Sequence, residues 1–110
     1  MIYDLSIKEL QTLKKFLDAL DTKDNSLWTI GKNYFIRTVT MHILGHLTEI
    51  TNTELLITNA SWVADSGRFH DALKAGVLDE VEPFINPVIV NRQSIIDATE
   101  WHHALPVKQK

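Results

Sequence analysis

Apolar positions change their period twice along the chain. From Ile7 to Leu20 they recur at three- and four-residue steps, as Ile7, Leu10, Leu13, Phe16, Leu17 and Leu20. Lys8, Gln11, Lys14, Lys15 and Asp18 take the other face. That is the spacing of an amphipathic helix. Ser6-Ile7-Lys8-Glu9 reads S-x-x-E, a capping box at its start. The spacing predicts a helix over residues 5–21. The polar stretch from Asp21 to Ser26 ends it and makes a linker.

From Tyr34 to Val63 the pattern is that of a pleated, half-buried surface. The stretch has no proline and one glycine, and it is dense in Thr, Ile, Val, Leu and aromatics. A strand holds about 5–6 residues, so this length predicts three consecutive antiparallel strands, approached through a short extended Leu27–Gly31. In the first, Val39, Met41 and Ile43 alternate with Thr38, Thr40 and His42, as expected when one face is buried. Gly45 predicts a bend in the second, and Thr51-Asn52-Thr53 a turn into the third. Leu55-Leu56-Ile57 opens that third strand, whose imperfect alternation suits burial on both sides.

After Ala64 the period lengthens again. Asp65-Ser66 offers an N-cap, Phe69, Ala72 and Leu73 share a face, and Gly76 is placed to end a helix. A short helix is predicted over residues 67–75. An acidic connection, Asp79 to Glu82, leads through Pro83 and Asn86-Pro87. Val88-Ile89-Val90 and Ile95 to Thr99 read as strands around a polar turn, Asn91-Arg92-Gln93-Ser94. The tail, 100–110, is expected to be ordered through Trp101 and frayed beyond Pro106. Five short, bent strands point to a small barrel, whose closure removes exposed edges.

Composition narrows the function classes. Residues 1–110 suit a single domain. At 45% hydrophobic and 23% charged the chain is an ordinary globular one. A net charge of −3 gives no global attraction to nucleic acid or an anionic membrane. No cysteine is present, which excludes disulfides and thiolate chemistry. The start, MIYDLSIKEL, lacks the basic opening and apolar core of a secretory leader. No run approaches the roughly 18 apolar residues of a membrane span. A cytoplasmic protein with no membrane partner is expected.

At this point the chain resembles the Sm-like (Lsm) family. Gly45-His46-Leu47-Thr48-Glu49-Ile50 is similar to the family's bent second strand, and Glu54-Leu55-Leu56-Ile57-Thr58-Asn59-Ala60 to its third. Val88 to Ile96 is similar to its second motif, a strand, a tight turn usually written R-G-x-N, and an apolar strand. Here the R-G pair is replaced by Asn91-Arg92, and the following Asn by Ser94. The resemblance covers roughly residues 5–20 and 34–99. It implies a mostly β fold: a five-stranded, strongly bent Sm-like (SH3-like) barrel with an N-terminal α-helix stacked on it. The first motif is 34–64, the second 88–99, with a helical insertion, 65–87, between strands three and four. It also implies a homo-oligomeric ring of about five to seven subunits, joined edge to edge through the fourth and fifth strands. In such rings single-stranded RNA meets two turns, which fall here on Asn52 and Thr53, and on Asn91, Arg92 and Gln93. The chain is also similar to small proteins carried by phages and prophages. That leaves two other readings open: a phage-type structural or assembly ring with phage or host protein partners, or a ring sequestering a small anionic ligand at subunit interfaces.

The residues themselves weigh as follows. Arg92 offers a planar fork of donors for a phosphate or base; it could equally be a solvated turn residue or pair across an interface. Asn52 and Thr53 could read a base edge or simply form their turn. His42 and His46 invite a zinc reading. On a strand, however, four residues span about 13 Å, too far for two nitrogens each about 2 Å from one metal. His70, His102 and His103 form no metal motif, so no metal or other cofactor is expected. There is no G-x-S-x-G elbow around Ser61 or Ser66 and no phosphate-cradling loop, so a non-enzymatic protein is expected. Trp28, Trp62 and Trp101 could stack bases, but the second and third are better placed for core or interface. Asp65 with Arg68, Phe69, His70 and Asp71 could hold a ligand or form a capping network.

Overall fold

The computed structural model describes residues 7–21 and 27–110, and in the first segment side chains up to Lys15. Ser6 of the expected capping box and the linker from Thr22 to Ser26 lie outside the described residues. Helix α1 spans Ile7–Asp21, and no described helix is long and apolar enough to cross a membrane. Strands β1 (Asn33–Thr38), β2 (His42–Ile50) and β3 (Glu54–Asp65) form the expected meander. Helix α2 (Phe69–Ala75) and strand β4 (Glu80–Pro83) fill the insertion. Strand β5 (Val88–Asn91), a 3₁₀ turn over Arg92–Ser94 and strand β6 (Ile95–Glu100) follow.

The fold is mostly β, an antiparallel six-stranded sheet with two helices. Its pairing path is β4-β3-β2-β1-β6, with β5 also on β3. The described strands leave this path open, and there are six of them where five were expected. On the edge away from β2, β3 carries two partners because it bends. Its first half, Glu54–Ile57, pairs β5, and its second half, Ser61–Asp65, pairs β4. The bend lies opposite Gly45: register slips between Leu44 and His46, and Asn59 takes a left-handed φ of 48°. A Cβ at Gly45 would collide with Ile57 Cγ2 and stand 3.0 Å from Ala60 Cα. Only glycine allows β2 and β3 this close, which is why the one glycine of the stretch marks the bend.

Four further expectations need correcting within the chain from β1 onwards. The first strand does not run through Val39 and Met41. Thr38 closes a turn there, its Oγ1 donating to the Met41 carbonyl (2.8 Å) and accepting from the Met41 amide (3.0 Å). Val39 and Met41 are exposed. The acidic connection is not a loop, because Val81 is buried and the long β3 has a free edge for Glu80–Pro83 to pair with. Asp65 does not cap α2; its carboxylate accepts from the Gly67 amide at 2.8 Å, so the helix starts later, after Arg68. Gly76 does end α2, in the left-handed conformation (φ 74°). Finally, the tail is anchored to its last residue: Val81 and Lys110 exchange backbone hydrogen bonds of 2.9 and 2.8 Å.

The sheet is buried on both faces, as Tyr34, Phe35 and Ile36 show by being buried in succession. Tyr34 and Ile36 join Ile43, Leu47, Leu55 and Ile57 on one side. Phe35 joins Leu44, Val63, Ala72, Leu78, Val81 and Trp101 on the other. The insertion and tail therefore supply a second core, each large side chain contributing about 1.5–3 kcal/mol by leaving water. His103 Nε2 meets the Leu73 carbonyl at 2.7 Å and ties the tail to α2. The described part of the α1 stripe is different: Ile7, Leu10 and Leu13 are 75%, 49% and 48% exposed, so these residues are not packed on the sheet as the resemblance implied.

The contact at Gly45 gives a direct test. Gly45→Ala must push β2 from β3 and should cost about 1–3 kcal/mol, read as a lower urea midpoint. An unchanged midpoint would show that the two strands can separate freely.

Candidate functional site

The site is built from two turns distant in sequence. At the β2–β3 turn, Thr51 Oγ1 accepts from the Glu54 amide (2.9 Å) and the Thr53 amide (3.3 Å), and the Thr51 amide donates to the Glu54 carbonyl (2.9 Å). At the β5–β6 turn, Asn91 Oδ1 accepts from the Gln93 amide (2.9 Å), and Ser94 Oγ donates to the Asn91 carbonyl (2.7 Å). Such side-chain-to-backbone bonds are what make Asn, Ser and Thr turn residues.

β3–β5 pairing sets Glu54 opposite Asn91 and so brings the turns together. The Arg92 amide donates to the Thr53 carbonyl (2.9 Å), and its guanidinium Nη1 to the Thr51 carbonyl (2.6 Å). All five sequence-predicted residues thus lie on one rim, with different duties. Asn91 builds its turn, and half-buried Arg92 clamps the two turns. Thr53 contributes a carbonyl, while Asn52, Thr53 and Gln93 are exposed. One guanidinium donor is spent on Thr51; a guanidinium carries five, leaving a fork for an anion or a base edge. The rim also has acids. Glu49 and Glu54, with Thr51, Leu55, Leu56 and Ile89, frame a notch of about 130 Å³.

The other candidates resolve into structure. Arg68, His70 and Asp71 are exposed around α2. Phe69 packs edge-on against Phe35, with centroids 5.6 Å apart. His46 Nδ1 meets Asn33 Oδ1 at 2.8 Å, and Lys32 with His102 flanks Glu100 at 3.1 and 3.4 Å. No group of three or more His, Asp or Glu among the described residues can hold a metal. Trp101 is core, Trp28 packs edge-on against Tyr34 at 4.8 Å, and Trp62 is partly exposed beside Ile43 and Glu82.

Sequence reasoning missed one constellation. Arg37 on β1 grips Asp97 on β6 with Nε (2.8 Å) and Nη2, and its guanidinium lies 4.7 Å over the Phe69 ring. Hydrogen bonds from Arg37 hold the Asp97 carboxylate below the usual range, helped by the charges of Arg37 and His42; in return Arg37 is raised. Nothing in the sequence pairs these residues until the β1–β6 register is known. Comparison with protein-family models, curated proteins and solved structures finds no match to the chain.

The pair makes a pH prediction. Asp97 has a depressed folded pKa, so its stabilising effect is present above the ordinary carboxylate value and lost as pH falls through the lower folded one. Wild type should melt above Asp97→Asn at neutral pH, and the two should converge as pH falls below the ordinary carboxylate range. A gap that stays constant as the pH falls below that range would contradict the assignment.

Proposed function

We propose that this chain is a non-enzymatic, cytoplasmic, ring-forming protein of Sm-like architecture that binds single-stranded RNA or a nucleotide at the rim of Asn52, Thr53, Asn91, Arg92 and Gln93. The observation that carries the ligand reading is the Arg92 clamp. It holds two polar turns on one rim and keeps most of a guanidinium fork for a ligand. Repetition around a ring would set one such fork beside the next and add their affinities.

The strand order supports the barrel. β1, β2 and β3 are consecutive, β5 lies on β3, β6 lies on β1, and three residues of 3₁₀ turn connect β5 to β6. Rolling the sheet is what allows so short a connection between its two flanks. The edges support assembly. Lys110 covers the backbone of β4, whereas β5 and β6 each pair on one side only among the described residues. Both bare strands carry an exposed isoleucine, Ile89 at 66% and Ile96 at 67%. Unprotected apolar edges invite another chain. Joining β5 of one copy to β6 of the next is heterologous, and it closes as a ring if the rotation fits.

A second reading, a ring of phage type with protein partners and no nucleic acid, is favoured by Glu49 and Glu54, which frame a notch with Thr51, and by the net charge of −3. Fluorescence anisotropy with short U-rich and A-rich oligoribonucleotides separates the two. Binding should be strongest at low salt, where phosphate contacts are least screened. Arg92→Ala should weaken it about tenfold or more, the scale of one lost base or phosphate contact. No binding by wild type at low salt would overturn the RNA reading and favour protein partners.

A further inference from the structure

We infer that the Nε–Nη2 edge of Arg92 grips a phosphate of the bound strand through both of its non-bridging oxygens, and that Thr51 is the residue that aims this edge; the inference rests on the RNA reading above. A guanidinium is planar, and its edges each offer a parallel pair of N–H donors. Arg92 spends Nη1 on the Thr51 carbonyl at 2.6 Å. That leaves the edge of Nε and Nη2 complete, and among the described residues nothing else partners it. The chain shows elsewhere what such an edge takes. On Arg37 the same Nε and Nη2 hold the two carboxylate oxygens of Asp97, one each. A phosphate presents two oxygens in the same way. Uracil and adenine have no such pair of neighbouring acceptors, whereas guanine has one in O6 and N7.

Thr51 holds the fork in place. Its Oγ1 accepts from the Glu54 amide (2.9 Å) and the Thr53 amide (3.3 Å), which closes the turn. The closed turn offers Arg92 two carbonyls: that of Thr51 to Nη1, and that of Thr53 to the Arg92 amide at 2.9 Å. An arginine fixed at its backbone and at one donor has less freedom left to lose when it binds. Net charge does not replace this geometry. Glu49 and Glu54 frame the notch that Thr51 also lines, so a positive charge at position 92 gains little by attraction alone. Paired bonds of fixed direction must carry the contact.

Fluorescence anisotropy with the full chain at low salt tests this on three strands. They are a U-rich strand, a G-rich strand, and the U-rich strand with methylphosphonate linkages, which keep only one of the two non-bridging oxygens. The methylphosphonate strand should bind about tenfold more weakly than its parent, the scale of hydrogen bonds to a charged group. Arg92→Lys keeps the charge and loses the fork. It should weaken the U-rich strand by a similar factor and leave the methylphosphonate strand unchanged. Undiminished binding of the methylphosphonate strand, or Arg92→Lys binding like wild type, would overturn the phosphate contact and leave the RNA reading standing. So would a preference for the G-rich strand that Arg92→Lys abolishes, because the fork would then read guanine. Absence of binding to every strand overturns the inference together with the RNA reading. Thr51→Val removes the hydroxyl and keeps the shape of the side chain. It should weaken the U-rich strand about threefold or more in the wild-type background and have no further effect in Arg92→Lys, the mark of two coupled residues. Thr51→Ser should restore the affinity. Equal losses in both backgrounds, or a lower urea midpoint with affinity intact, would overturn the aiming role of Thr51.

Discussion

The close approach of β2 and β3 at Gly45 is the constraint on which the rest depends. With no side chain there, Ile57 and Ala60 come against the β2 backbone, and Asn59 takes the left-handed turn that bends β3. The bend divides the outer edge of one strand between two partners. β5 takes the half next to the Thr51 turn, and β4 takes the half next to the insertion. The first pairing makes the rim, because it delivers Arg92 to the Thr51 and Thr53 carbonyls. The second makes the outer core, because it sets Val81 among Val63, Leu78 and Ala72. A straight β3 could not serve both.

The insertion and tail then act as a cover. α2, Leu78, Val81 and Trp101 close the second face, His103 fastens the tail to the Leu73 carbonyl, and Lys110 caps the β4 backbone. Protection of β4 contrasts with the bare edges of β5 and β6. Natural sheets block edges that serve no purpose; among the described residues these two edges, bearing Ile89 and Ile96, stay unblocked.

Much of the fold was legible because its signals are local. The three- and four-residue steps of α1, the single glycine in a long β-rich run and the glycine after Ala75 each act through their own backbone. The errors fall where partners are distant. Val39 and Met41 alternate like strand residues, yet the Thr38 hydroxyl closes a turn through them. Glu80-Val81-Glu82-Pro83 reads as a polar loop and becomes a strand only because β3 offers an edge. The tail looks frayed until the Val81–Lys110 pairing is seen. At the rim, Asn52, Asn91 and Ser94 announce turns through their chemistry. That Arg92 ties those turns together depends on the β3–β5 register, which no local pattern carries. The Arg37–Asp97 pair was invisible for the same reason.

Amide hydrogen exchange along Val88–Asn91 and Ile95–Glu100, followed against protein concentration, tests most directly whether the bare edges pair between copies. Edge pairing predicts that the outward amides of both strands become protected together as concentration rises, and that Ile96→Glu removes protection from both. Exchange as fast as that of the exposed Asn52 turn at every concentration would contradict it.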